Sequence, residues 1–130
     1  MTLNEALETL KLLPDWESRY GFIIELAATL PPMPEAEKTP NNMVRGCTSQ
    51  VWLTWRWEDG KLQLHLESDA LIVSGLLALV YLAFNNQTRA TIQQTDLNAL
   101  LAPSQLLHHL SPNRRNGFAS VLAKISEISE

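Results

Sequence analysis

The chain has 130 residues, 45% of them apolar and 18% charged, enough apolar material for one packed core and too little charge for a disordered chain. Ten Lys plus Arg against fourteen Asp plus Glu give a net charge of -4, which disfavours a nucleic-acid partner, because phosphate-backbone binding draws most of its affinity from basic side chains. The single cysteine, Cys47, excludes an intramolecular disulfide and a metal site built from several thiolates of one chain, and it suits a reducing compartment.

The N-terminal MTLNEALETLKLL carries acids where a secretory signal carries positive charge, and no small-residue cleavage site follows, so it reads as the start of a cytoplasmic protein. Thr2 with Glu5 forms a capping-box pattern, and Leu3, Leu7, Leu10 and Leu13 recur at helical spacing. Pro14 stops this helix, and Asp15 caps a second that presents Trp16, Tyr20, Ile23, Ala27 and Leu30. The two helices are expected to pack as an antiparallel pair. Pro31 to Asn42 carries prolines and no alternation, so it reads as a surface connection leading to Gly46 and Cys47.

From Val51 the period changes to two. Val51, Leu53, Trp55 and Trp57 alternate with Trp52, Thr54 and Arg56, and after Asp59-Gly60 the leucines 62, 64 and 66 alternate with Gln63 and His65, which predicts a β-hairpin. The uncharged run Ala70 to Phe84 is too short to span a hydrocarbon core of ~30 Å and is expected to be a buried central helix, capped by Ser68 or Asp69 and ended by Asn85-Asn86. A polar stretch follows. Leu97 to Leu110 reads as one or two short helices broken at Pro103, and Ser111-Pro112 opens a last helix with Phe118, Val121, Leu122, Ile125 and Ile128 inward. Helices before and after one hairpin give an α+β fold, a single domain over residues 1–130 with no glycine-rich phosphate loop.

Chemistry centres on Cys47. A lone cysteine is commonly a small buried hydrophobe, but this one follows Gly46 and is flanked by Asn41, Asn42, Arg45, Thr48 and Ser49, which suggests a loop near the surface. The nearby Arg45 guanidinium would favour the nucleophilic thiolate. A Cys–His hydrolase would need His65, His108 or His109 close to the sulfur, and nothing in the sequence brings one there. His65 is expected to face solvent, and adjacent His108 and His109 diverge on a helix, which makes them a poor metal pair. Trp55 and Trp57 read as core, while Trp52 packs beneath a helix or faces a partner. Read locally, Asp69 is a helix cap and Arg114 a solvated charge at a helix start.

The segment GCTSQVW, Gly46 to Trp52, resembles the SufE family of sulfur-acceptor proteins, which includes a CsdE branch. Trp16-Glu17 with Tyr20, Ile24-Glu25-Leu26, Pro40 with Asn42, Ser68-Asp69-Ala70, Ile72-Val73, Gly75-Leu76, His109-Leu110-Ser111-Pro112, Arg114 and Gly117 resemble it in the same order. The resemblance implies an IscU-like α+β fold. It also implies that Cys47 takes sulfane sulfur from the persulfide of a pyridoxal-phosphate cysteine desulfurase, stimulates that enzyme, and passes sulfur to an iron–sulfur scaffold or other acceptor. The pyridoxal phosphate would belong to the partner, and the chain itself would hold no cofactor and no metal. By family position Asp69 would help hold the cysteine loop with Gly46, and Arg114 would lie near the cysteine. Arg45 departs from the uncharged residue common there.

On this reading the chain is a persulfide carrier rather than a self-contained enzyme, and it binds neither nucleic acid nor membrane. The alternative is a non-catalytic adaptor of a desulfurase in which Cys47 is incidental.

Overall fold

The computed structural model describes residues 1–130 and contains six helices and one hairpin. Helix α1 (Leu3–Leu12) begins with the expected capping box: the Glu5 N–H donates to Thr2 Oγ1 and the Thr2 N–H to Glu5 Oε1, each at 3.2 Å. Helix α2 (Trp16–Ala27) is capped by Asp15, whose carboxylate accepts from the Ser18 N–H at 2.7 Å.

Strands β1 (Val51–Glu58) and β2 (Lys61–Ser68) pair antiparallel from Val51↔Ser68 to Glu58↔Lys61. Asp59 and Gly60 turn the chain with φ of 53° and 75°, the two positive values a type I′ turn demands. Each strand's outer edge is met by neighbouring backbone near one end. Outside β1, Met43 bridges Trp52 and the Val44 N–H donates to the Val51 carbonyl at 2.8 Å. Outside β2, Leu62 N–H donates to Gln87 O at 2.9 Å, Asn86 N–H donates to Leu62 O at 2.6 Å, and Lys61 bridges Thr88.

Helix α3 (Leu71–Phe84) is the centre of a 26-residue hydrophobic core. Its apolar surface meets α2 on one side and β2 on another, which is why a helix with no charged residue is stable in this protein. At Gly75 a side chain would run into the Ile23 backbone, so α2 and α3 cross in backbone contact. No helix is long and apolar enough to cross a membrane.

After α3 come α4 (Arg89–Gln94) and α5 (Leu97–Leu101), then 3₁₀ turns at Ala102–Ser104 and Leu106–His109, and finally α6 (Pro112–Ile128). Ser111 caps α6, accepting from the Arg114 N–H at 3.3 Å, and Phe118, Val121 and Ile125 are buried while Leu122 and Ile128 are half-buried.

Four expectations are corrected. First, α1 packs on α3 and the Ala102–Ser104 turn rather than chiefly on α2, because α3 offers the larger apolar surface. Second, the polar stretch contains α4, whose signal was the Thr88 cap on the Thr91 N–H. Third, the residue before α3 is Ala70, and no side chain caps that helix; Asp69 is turned toward Gln50 instead. Fourth, Trp55 is on the inward face opposite Leu64 yet is 44% exposed, because it borders an open groove between the cysteine loop and α6 rather than packed core, with the Lys124 ammonium 5.0 Å from the ring.

Candidate functional site: the cysteine loop and its cavity

The loop that carries Cys47 is tied at both ends. The Val44 to Val51 bond closes its base, and on the far side Asp69 and Gln50 form a reciprocal pair, in which the Gln50 N–H donates to Asp69 Oδ1 at 3.1 Å and the Asp69 N–H donates to Gln50 O at 3.3 Å. Between these ties Gly46 adopts φ +88°, a left-handed conformation that side chains resist. A Cβ there would also stand 2.6 Å from Ser120 Oγ. The sharp turn at Gly46 and the close approach of α6 are therefore one requirement, and glycine meets both.

That turn directs Cys47 onto α6. Its Sγ–H donates to the Gly117 carbonyl at 3.6 Å, and a Cβ on Gly117 would lie 3.2 Å from the sulfur. The half-buried thiol borders a cavity of about 350 Å³. Val51, Val73, Leu76, Phe118 and Val121 supply apolar walls, and Ser111, Asn113 and Arg114 line it from the first turn of α6. Arg114 is the one charged residue of the lining. Its guanidinium donates to the Tyr20 hydroxyl at 3.4 Å. Tyr20 in turn meets Trp16 edge-on at 5.8 Å, and Trp16 stacks on His109 at 4.4 Å. The aromatic row joins α2 to the chain just before α6.

Arg45 lies elsewhere. It is exposed on the other side of the loop, lining a second groove with Trp55, Ser120 and Lys124. Burial pushes the Cys47 thiol above its ordinary range, and neither Arg45 nor Arg114 offsets that. In this conformation the sulfur is a sheltered thiol at neutral pH, so the activation by Arg45 expected from sequence does not operate in it.

The structure thus places Cys47 and Arg114 on one cavity, with Gly46 turning the chain just before it, brings Asp69 to the loop's exit, and sets Arg45 apart. No histidine lines the cavity: His65 Nδ1 bonds the Glu37 carboxylate at 2.9 Å, His109 stacks on Trp16, and His108 is exposed. The Cys–His hydrolase geometry is not formed. Nor is any group of three or more His, Cys, Asp or Glu side chains arranged to hold a metal ion. Tyr20 and Ser120 were not legible as site residues, since each is defined by a neighbour far away in the chain. For Tyr20 the signals were a place on the apolar stripe of α2 and a place among the residues that resemble the family, and neither pointed to the cysteine.

Residues 4–129 match the SufE family, described as an Fe-S metabolism associated domain. An uncharacterized SufE-like protein of Rhizobium meliloti (strain 1021) is 38% identical over 133 residues, covering 99% of this chain and 95% of the relative. A second, from Rhizobium etli, is 35% identical over 130 residues, covering 97% and 88%. The solution structure of a hypothetical protein from Thermus thermophilus superposes with a TM-score of 0.79 over 99% of this chain and 96% of that one, at 22% identity. The fold is therefore the mixed one expected, an antiparallel hairpin packed against several helices in the SufE/IscU-like arrangement.

Proposed function

The chain belongs to the SufE family, and from that premise we propose that it is a sulfur acceptor that takes sulfane sulfur from a pyridoxal-phosphate cysteine desulfurase onto Cys47. The observation that carries the reading is the placement of its only thiol, on a glycine-hinged loop at the edge of a largely apolar cavity.

The chemistry is a displacement between sulfurs. The Cys47 thiolate attacks the terminal sulfur of the desulfurase persulfide; a new S–S bond forms at Cys47, the old one breaks, and the desulfurase cysteine leaves as its thiolate. No net oxidation occurs. Removing the persulfide frees the desulfurase for its next turnover, which accounts for stimulation. The pyridoxal phosphate stays on the partner, and the loaded sulfur then passes to an iron–sulfur scaffold or another acceptor.

The resting geometry gives each part of the loop a role. Burial keeps the thiol protonated and shelters a sulfur species that oxidants attack readily. Transfer requires the loop to swing outward about Gly46, releasing the Cys47 contact to Gly117 and the Asp69 hold on Gln50. Arg114 then faces the position the thiolate leaves and returns to. One thiol and transient docking suffice for such a relay.

Intact-protein mass spectrometry after mixing with a cysteine desulfurase and L-cysteine tests the reading, with Cys47→Ser in parallel. Added sulfur that reductant removes, absent from the variant, is the expected result. Desulfurase binding and stimulation that survive in Cys47→Ser with no added sulfur on the unaltered protein would replace it with the adaptor reading.

A further inference from the structure

Two depressions flank the cysteine loop, one on each side of α6, and only the first takes part in the sulfur chemistry above. The second is a groove of about 500 Å³ lined by Val44 and Arg45 from the loop, Leu53 and Trp55 from β1, and Lys124 and Glu127 from α6. Along α6, Gly117 faces Cys47 in the first, while Ser120, one turn later, faces Gly46 and lines the second. An occupant of the groove therefore lies against Arg45, two residues before Cys47, and against Ser120, which faces Gly46.

Its lining differs from an ordinary solvated face. The Trp55 indole is 44% exposed although it is on the inward side of β1, and the Lys124 ammonium stands 5.0 Å from its ring. Arg45 pairs with no carboxylate, and Lys124 reaches Glu127 only at 4.0 Å. Two cations thus face one acid in this groove, on a chain whose net charge is -4. Tryptophan and arginine dominate binding energy at protein interfaces, and a locally positive patch selects a negative partner.

We propose that this groove docks an acidic segment of the sulfur-donating desulfurase, with Trp55 as the apolar anchor and Arg45 and Lys124 as the charge contacts. The inference rests on the sulfur-acceptor reading, because a body that reaches Cys47 must cover the loop between the two depressions. Docking beside Gly46 places the partner's contact at the pivot of the loop, where it also favours the outward position.

Calorimetric titration of the desulfurase with the unaltered protein, Trp55→Ala, Arg45→Glu and Lys124→Glu is the test, with Lys11→Glu on α1 as control and thermal melts to establish folding. The expected result is docking weakened about tenfold or more by Trp55→Ala, a loss of similar size for each charge reversal, and no change for Lys11→Glu. Docking of the unaltered protein should weaken as salt is added, and less steeply so in Lys124→Glu. Equal affinity for the unaltered protein and all three groove variants would overturn the groove while leaving the sulfur-acceptor reading standing; absence of docking by the unaltered protein would overturn both. Self-association of the unaltered protein in sedimentation that Trp55→Ala abolishes would give the groove to a second copy instead, and overturn the proposal.

Discussion

Cys47 and Gly117, seventy residues apart, meet side chain to backbone, with the thiol 3.6 Å from the Gly117 carbonyl and so close to the helix that a Cβ on Gly117 would stand 3.2 Å from the sulfur and push it back by a few tenths of an ångström. Gly117→Ala should therefore displace the loop rather than the helix, since alanine stabilises a helix interior by about 1 kcal/mol over glycine. The expected outcome is an unchanged or slightly raised melting temperature together with severalfold faster alkylation of Cys47. Unchanged alkylation would mean that the helix shifts instead.

Thiol reactivity carries a pH signature. Burial raises the Cys47 pKa, and only the thiolate reacts, so iodoacetamide alkylation of the folded protein should inflect above the value of about 8.5 typical of a free thiol. Unfolding in urea should return the inflection to the ordinary value. A folded-state inflection below about 8.5 would require a cation acting on the sulfur that this conformation does not bring to it.

At Gly46 two costs coincide, the positive φ and the approach of Ser120. Gly46→Ala should lower stability by about 1–3 kcal/mol, read from urea denaturation. Adding Ser120→Ala removes the hydroxyl that the new Cβ would strike and should recover part of the loss. The backbone strain remains, so full recovery is not expected.

Asp69 holds Gln50 through one side-chain and one backbone bond. Asp69→Ala removes the side-chain acceptor at a cost of about 1 kcal/mol, with faster hydrogen exchange at Gln50 and faster alkylation of Cys47. Asp69→Asn keeps an acceptor oxygen and should restore most of the protection. If both variants exchange alike, it is the charge at this position that orders the loop.

The connection from Pro31 to Asn42 is pinned to the hairpin by carboxylates. The Thr54 hydroxyl and then His65 hold Glu37 below the usual carboxylate range. Burial pushes Glu67 the other way, but Lys38 and the Met33 N–H outweigh it and hold it low as well. Both folded values are depressed, so the stabilisation is complete above the unfolded carboxylate pKa of about 4.3 and disappears as pH falls through the folded values. Urea midpoints should drop between about pH 5 and pH 3, and Glu37→Gln with Glu67→Gln should flatten that dependence.

Local chemistry determined much of this protein from sequence alone. The Thr2 capping box, the Asp59-Gly60 turn, the alternation of Leu62, Leu64 and Leu66, the uncharged α3 and the Ser111 cap are settled by interactions within a few residues. The GCTSQVW segment with its ordered flanks carried the family in the same way. Tertiary structure alone decided what each group faces. Asp69 has cap chemistry beside a helix start, yet Gln50 competes for the same carboxylate and wins. Arg45 is two residues from Cys47 and lines a different groove, because the left-handed turn at Gly46 sends successive side chains to opposite sides of α6. Trp55 obeys the strand period and remains exposed, since a period sets the face a residue points to while a neighbouring element must arrive to bury it. The state of the thiol follows from packing too, for its burial is supplied by walls from β1, α3 and α6, far from Cys47 in the chain.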